Sequence, residues 1–419
     1  MKKVFFGVLM IYLLYAVVIS SYLFFADTQL APEYIGTEAD PKTFMNEEQL
    51  NLSKEFSKWG NVIYFIYAPL EWIIYIFILC FGFSQLFARW SQQISKYRFF
   101  QTALYVVLMS TFCYIIVFPI RYFSFSISKQ YGVNIQSFNS WMKDNLIGFW
   151  IEAVMLTIVV YVIMLLVSNS PKRWWLYTWF LSIPFTLFLM FIQPVVIDPL
   201  YNDFYRIQDK DLEREILQLA QQSNIPAEHV YEVKMSEKTN ALNAYVTGIG
   251  SNLRIVLWDT TLERLSKDEV LFVMAHEMGH YDLKHLKQLL LGTIAMSFVG
   301  LFITSKLYQL TINNFGRQLR LKRDDLAALP IIFLILSMLS FAVSPITNGV
   351  SRAYEYQSDR YALQLTNDAD AAVKTFQKLS VEGLADVNPP KLVKLFRYTH
   401  PPIVERITHI RELSEKQDE

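Results

Sequence analysis

The chain has 419 residues, 53% hydrophobic and 16% aromatic, and its basic and acidic side chains balance to no net charge. Charged residues reach only 18%, below the roughly 25% of an ordinary soluble domain, and the shortfall sits in long apolar runs, so the membrane class outranks the soluble one. Zero net charge gives no support to a nucleic-acid partner, and the two cysteines, Cys80 and Cys113, lie inside apolar runs where they build neither a disulfide framework nor a cysteine zinc site.

A helix needs about 20 mostly apolar residues to cross roughly 30 Å of hydrocarbon. Seven runs meet or approach that length: 4–25, 62–87, 102–123, 149–167, 174–197, 289–307 and 327–345. The first follows Met1-Lys2-Lys3 as a signal peptide would, but no small-residue cleavage pattern follows Phe24-Phe25, so it reads as an anchor. The second carries Glu71 and Pro69; an ionisable group at that depth faces protein or water, which makes Glu71 a candidate lining residue of an internal space. The fold class is therefore mainly α, a polytopic membrane protein with about seven transmembrane helices. Four segments follow: 1–197 with five helices, 198–287 as a polar α+β domain, 288–345 with helices six and seven, and 346–419 as a helical C-terminal segment.

Within the polar domain a helical pattern covers 212–222, and short strand-like runs fall at 230–235, 243–249 and 253–258, bounded by Gly248, Gly250 and Asn252. Ser266-Lys267-Asp268-Glu269 then forms a capping box that starts a helix running through His280. On that helix lies His276-Glu277-Met278-Gly279-His280. At about 100° per residue its two histidines are about 40° apart, so both imidazoles leave one face and can hold a tetrahedral zinc. Glu277 lies beside the metal, placed to take a proton from water activated there and return it to a leaving amine.

A catalytic zinc wants three protein ligands and one open position. Spans six and seven form a hairpin, which returns the chain to the membrane side it left, and Ser351–Asp359 comes shortly after. Glu355 is the expected third ligand, and Asp359, four residues on, the partner that orients a ligating histidine. His285 would lie about 180° from His276 on a continuing helix, so it reads as a poor ligand and as a helix-face or interface residue. His229 and His409 lack ligand spacing and read as structural.

The runs His276-Glu277-Met278-Gly279-His280, Glu355-Tyr356-Gln357-Ser358-Asp359 and His400-Pro401-Pro402-Ile403-Val404-Glu405-Arg406 together resemble the type I CAAX prenyl endopeptidase family. These are Ste-type, gluzincin membrane zinc metallopeptidases with seven spans. Asp198-Pro199-Leu200-Tyr201-Asn202-Asp203-Phe204 and Asn243-Ala244-Tyr245 also match its pattern. The resemblance implies one Zn2+ per chain on His276, His280 and Glu355, with Glu277 as catalytic base. It further implies that His400 and Arg406 hold substrate and the developing oxyanion, that Asn243 contacts substrate backbone, and that the helices enclose a chamber. One departure touches the substrate: prenyl-processing members commonly carry His-Ser before Asn-Ala-Tyr, where this chain has Ala241-Leu242.

The expected function is thus an integral-membrane zinc endopeptidase acting on membrane-associated or prenylated peptides. The alternatives are a quality-control metalloprotease of unmodified membrane proteins, and a seven-span receptor or transporter with structural zinc. The last is disfavoured because no fourth residue closes the site. Expected partners are a peptide or protein substrate, lipidated or not, and membrane lipid, with no nucleic acid. In a bacterium the location would be the plasma membrane. The loop charges place the N-terminus in the cytoplasm and the zinc domain outside; the resemblance implies a cytosolic zinc domain, and the reading leans to that side.

Overall fold

The structure, a computed structural model, describes residues 1–248 and 253–418. The strand end expected at Ile249 and its flanking Gly250 and Asn252 lie outside the described residues. The chain opens with α1 (Lys2–Phe25) and α2 (Glu47–Phe81), the latter started by an Asn46–Gln49 capping box. Gly82, at φ +80°, ends α2 in the left-handed region that glycine tolerates. The expected second span therefore breaks there, and a separate α3 (Phe83–Ile94) buries one face against the bundle. Then come α4 (Arg98–Gln130), α5 (Phe138–Asn169) and α6 (Trp174–Ile192).

The polar domain contributes β1 (Phe204–Arg206), α7 (Lys210–Gln222), β2 (Val230–Val233), β3 (Ala244–Thr247), β4 (Arg254–Trp258), α8 (Asp259–Arg264) and α9 (Lys267–Asp282). Its sheet has the order β1-β2-β4-β3. The central β4 runs parallel to β2 and antiparallel to β3, and its Ile255, Val256 and Leu257 are all buried, as expected of a strand covered on both faces. β3 is left as an edge strand. Two long helices follow, α10 (His285–Leu319) and α11 (Leu329–Thr366), then α12 (Ala369–Glu382), α13 (Lys391–Phe396) and α14 (Ile403–Asp418).

Among the described residues seven helices are long and apolar enough to cross a membrane, in agreement with the number read from hydropathy. Six of them close a ring in the order α2, α4, α5, α6, α10, α11 and back to α2, with α1 packed outside on α2. Six rods about 10 Å thick in a closed ring leave a central gap about one helix wide. Trp174, Tyr105, Tyr308, Ile78 and Ile332 belong to an apolar cluster that plugs the end of this ring remote from the polar domain. Above the plug, Glu71, Arg121 and Glu152 line a cavity of about 130 Å³ between α2, α4, α5 and α11. Ser337 Oγ donates to the Glu71 carboxylate at 3.1 Å. Glu71 thus lines an internal space, as expected.

The last span differs from its expected limits. α11 has 38 residues, about 57 Å at 1.5 Å per residue, and it continues through Pro345 instead of ending there. Its final turns project beyond the hydrocarbon and carry Glu355 and Asp359 on the same rigid helix that crosses the membrane.

Candidate active site

α9 begins where Ser266 N donates to Glu269 Oε2 at 2.7 Å and the Ser266 hydroxyl caps the helix in return. Lys378 on α12 adds a 2.6 Å contact to the same carboxylate. Val270, Met274 and Met278 pack on the sheet, whereas Phe272 and Ala275 pack on α11, α12 and α14. The helix is therefore fixed on two sides and its histidines point into the seam with α11. Gly279 makes the seam narrow. A Cβ there would stand 3.2 Å from Tyr361 Cβ and 3.3 Å from Ser358 Cα, so the missing side chain lets α11 come close enough for its carboxylates to reach α9.

Ligand-type atoms of three residues converge in this seam. His276 Nε2 and His280 Nε2 are 3.2 Å apart, and Glu355 sets Oε2 3.3 Å from the first and Oε1 3.3 Å from the second. Atoms bound tetrahedrally at 2.0–2.1 Å from zinc lie about 3.3–3.4 Å from one another, so the residues present fit the metal. Glu355 is buried, and its carboxylate faces His276, His280 and Arg406 at 3.3–3.5 Å. A buried carboxylate is costly unless positive charge meets it. In the metal-free chain burial lowers the His276 pKa, but hydrogen bonds and charge from Asp359 and Glu355 outweigh that and raise it to about 10.

Behind His276, Asp359 Oδ1 meets Nδ1 at 2.8 Å. Arg406 grips the same carboxylate with Nε at 2.9 Å and Nη2 at 2.6 Å, and its guanidinium lies over the Phe376 ring, 4.2 Å from the centroid. Arg406 is buried, and its Nη2 is 3.5 Å from Glu355 Oε2. Its Nε and Nη2 are thus engaged by Asp359, while the residue also lines the cavity beside the histidines. His400, in contrast, is 62% exposed at its side chain and holds Nε2 3.5 Å from Glu355 Oε1. Glu277, Asn243, Ala244, Phe272, Phe376, His400 and Pro401 share a cavity of about 300 Å³ beside the histidines. Burial raises the Glu277 pKa, against the pull of His276 and His280.

Asn243 directly precedes β3, and its backbone is pinned by Thr261 Oγ1, which accepts from its N–H at 2.9 Å and donates to its carbonyl at 2.8 Å. All the residues expected at the site are therefore together. His229 meets Arg206 at 2.8 Å and His409 packs edge-on against Tyr356, both in structural settings. His285 is not one of the three ligand-type residues, yet it touches one of them. Its Nδ1 is 3.0 Å from His280 Nδ1, because α9 stops at Asp282 and Lys284, at φ +61°, swings the chain back.

The sequence matches peptidase family M48 over residues 206–414 and the CAAX prenyl protease N-terminal segment of five membrane helices over residues 21–203. It is 47% identical over 400 residues to the uncharacterized metalloprotease YhfN of Bacillus subtilis (strain 168), covering 95% of this chain and 94% of that one. The chain belongs to peptidase family M48. Within that family it is 26% identical to CAAX prenyl protease 1 of Saccharomyces cerevisiae, over 94% of this chain and 90% of the relative. The crystal structure of S. mikatae Ste24p superposes with a TM-score of 0.80 at 21% identity, over 94% of each chain, and so shares the fold. The M48 chain is thus a multi-pass membrane metalloprotease of the CAAX prenyl protease family, as the motifs led one to expect. Membership in a metallopeptidase family implies a metal, and the His276, His280 and Glu355 group is the candidate to hold it.

Proposed function

We propose that this M48 protein is a zinc-dependent endopeptidase that cleaves membrane-associated peptides, with His276, His280 and Glu355 as ligands and Glu277 as general base. The observation that carries this reading is the convergence of three ligand-type residues, two imidazole nitrogens 3.2 Å apart with one Glu355 oxygen 3.3 Å from each, beside a cavity that also holds Glu277. A zinc ion held there would polarise the scissile carbonyl and acidify the attacking water. Glu277 takes the proton that the water gives up and delivers it to the leaving amine; its raised pKa suits a group that must do both. The free edge of β3 adds the substrate as a further strand, and the Asn243 amide, which makes no hydrogen bond among the described residues, reaches its backbone. His400, exposed at the mouth, donates to the oxygen that becomes negative in the transition state. Arg406 serves as a positioning residue, holding Asp359 so that Asp359 can hold His276.

The substrate is taken from the membrane, since α11 runs without interruption from the ring of spans to the site. Prenylated tails and unmodified membrane segments both suit that route, and Ala241-Leu242 favours the wider class. Cleavage of a farnesylated peptide and its unmodified counterpart by the zinc-loaded protein decides between them. Equal kcat/KM supports a general membrane endopeptidase, and a farnesyl preference above tenfold makes the prenyl group part of recognition.

For the orientation we propose the outer face. Lys2, Lys3, Arg89, Lys96, Arg98, Lys172, Arg173, Arg317, Arg320, Lys322 and Arg323 all gather at the plugged end of the ring, opposite the polar domain. That charge excess marks the cytoplasmic side, so the site would open on the other one, against the lean given by the family resemblance.

A further inference from the structure

The ring protons of the site's histidines follow from their contacts. If His276 and His280 both turn Nε2 to one cation, each must carry its proton on Nδ1. His276 gives that proton to Asp359 Oδ1, 2.8 Å away. Among the described residues no carboxylate faces His280 Nδ1. Its neighbour is His285 Nδ1 at 3.0 Å, and two ring nitrogens this close form a hydrogen bond only if one of them is bare. His285 must therefore accept at Nδ1 and carry its own proton on Nε2, which lies 3.2 Å from Gln357 Oε1. Ser358 Oγ, at 3.5 Å, is the other polar group near His285 Nδ1. The three contacts agree on one set of tautomers, running His280 to His285 to Gln357.

We infer that His285 is a positioning residue for the metal site: a neutral imidazole, anchored by Gln357, that fixes the tautomer and rotation of His280. The geometry is built for this. His285 is buried, and its ring is stacked on Tyr354 at 4.3 Å with a 12° interplanar angle. It is the first residue of α10, and the left-handed turn at Lys284 aims it back at α9. Gln357 sits two residues beyond Glu355 on α11. One helix thus supplies a ligand, the partner of the first histidine (Asp359) and, through His285, the partner of the second. A bare imidazole nitrogen is a weaker acceptor than a carboxylate, so the two histidines are held unequally: His276 firmly by an ionised group, His280 by a neutral pair.

The inference rests on His280 being a ligand, and the test separates the two ideas. Zinc affinity of the full-length detergent-purified chain is measured by competition with a chromophoric chelator. His285→Leu fills the space without an acceptor and should weaken zinc binding about 10–100-fold, as loss of an outer partner does elsewhere. His285→Asn restores an acceptor near Nδ1 and should recover affinity to within a few-fold of wild type. Gln357→Leu, on the exposed side of the relay, leaves His285 in place and should weaken binding in the same direction. Thermal unfolding of the metal-free proteins is recorded alongside, because a packing role for His285 would lower that stability while leaving zinc affinity alone. Wild-type zinc affinity in either leucine variant, or Asn no better than Leu at position 285, overturns the relay. His280→Ala is the control: if it still binds one zinc as tightly as wild type, the ligand assignment itself fails, and the relay with it.

Discussion

Gly279→Ala tests how the site is assembled, because it alters no polar group. The added Cβ would lie 3.2 Å from Tyr361 Cβ and Cδ1 and 3.3 Å from Ser358 Cα, whereas carbon atoms are comfortable at about 3.5–4.0 Å. The Ser358 contact is with backbone, so α11 must retreat from α9 by about 0.3–0.5 Å. Overpacking of this kind costs about 1–3 kcal/mol, offset by about 1 kcal/mol because alanine is the better helix former. The net loss of stability is therefore small, about 0–2 kcal/mol. The effect on metal is larger in proportion. Ser358 lies between Glu355 and Asp359, so the retreat stretches ligand spacings of 3.3 Å that already fit zinc. Zinc affinity should fall about tenfold, at the low end of what disturbed outer partners cause. Chelator competition and thermal unfolding with and without zinc measure both quantities. An alanine variant that binds zinc as tightly as wild type would refute the idea that the close seam sets the site.

Other consequences follow from the same contacts. Arg406→Leu leaves Asp359 buried without its bidentate partner and should destabilise the polar domain by about 3–5 kcal/mol, read as a lower Tm; Arg406→Lys should recover little, since a single ammonium cannot reproduce the fork. Unaltered melting in the leucine variant would remove Arg406 from its positioning role. Proton linkage has a definite sign. His276 is raised to about 10 in the metal-free chain, so its protonated form stabilises that state below the unfolded pKa of about 6.5 and the benefit is lost as pH rises through 10. Zinc must displace this proton, so between pH 7 and 9 calorimetry in buffers of different ionisation enthalpy should show about one proton released from His276 per zinc bound, and affinity should rise with pH. No proton release would contradict the metal-free picture. For orientation, Glu228→Cys on the polar domain should react with a membrane-impermeant maleimide in intact cells, whereas Lys172→Cys at the basic end should react only after permeabilisation. The reverse pattern places the site in the cytoplasm.

Much of this molecule is legible in its sequence. The histidine pair depends only on helical geometry within five residues and a capping box that starts the helix, so both are local. Glu355 needed one further step, the hairpin of spans six and seven, and the structure strengthens that step by making span and ligand one helix. The rest depends on contacts that no local pattern carries. His285 escaped because the break before it is made by Lys284 in a left-handed conformation, with neither glycine nor proline to signal it. Arg406 was placed at the site, but its commitment to Asp359 comes from the packing of α14 against α11, which spacing does not reveal. The three-residue β1 is too short for alternation to register. Hydropathy supplies the number of spans but not their neighbours, so the closed ring and its plug were out of reach. The one-sided gathering of basic residues is legible in the loop charges; the structure adds that the loop after α10 lies beside α3 and the turn after α5, where Gln85 Nε2 donates to the Leu319 carbonyl and Arg323 donates to that of Pro171.

The central claim is that Glu277 is the base of a zinc peptidase whose metal is held by other residues. It is tested most directly by measuring zinc content and peptide cleavage together in purified wild type and Glu277→Gln. One zinc per chain in both proteins, with kcat in the variant reduced at least about 100-fold, is the expected result. Wild type without zinc, or a variant that cleaves at the wild-type rate, would contradict it.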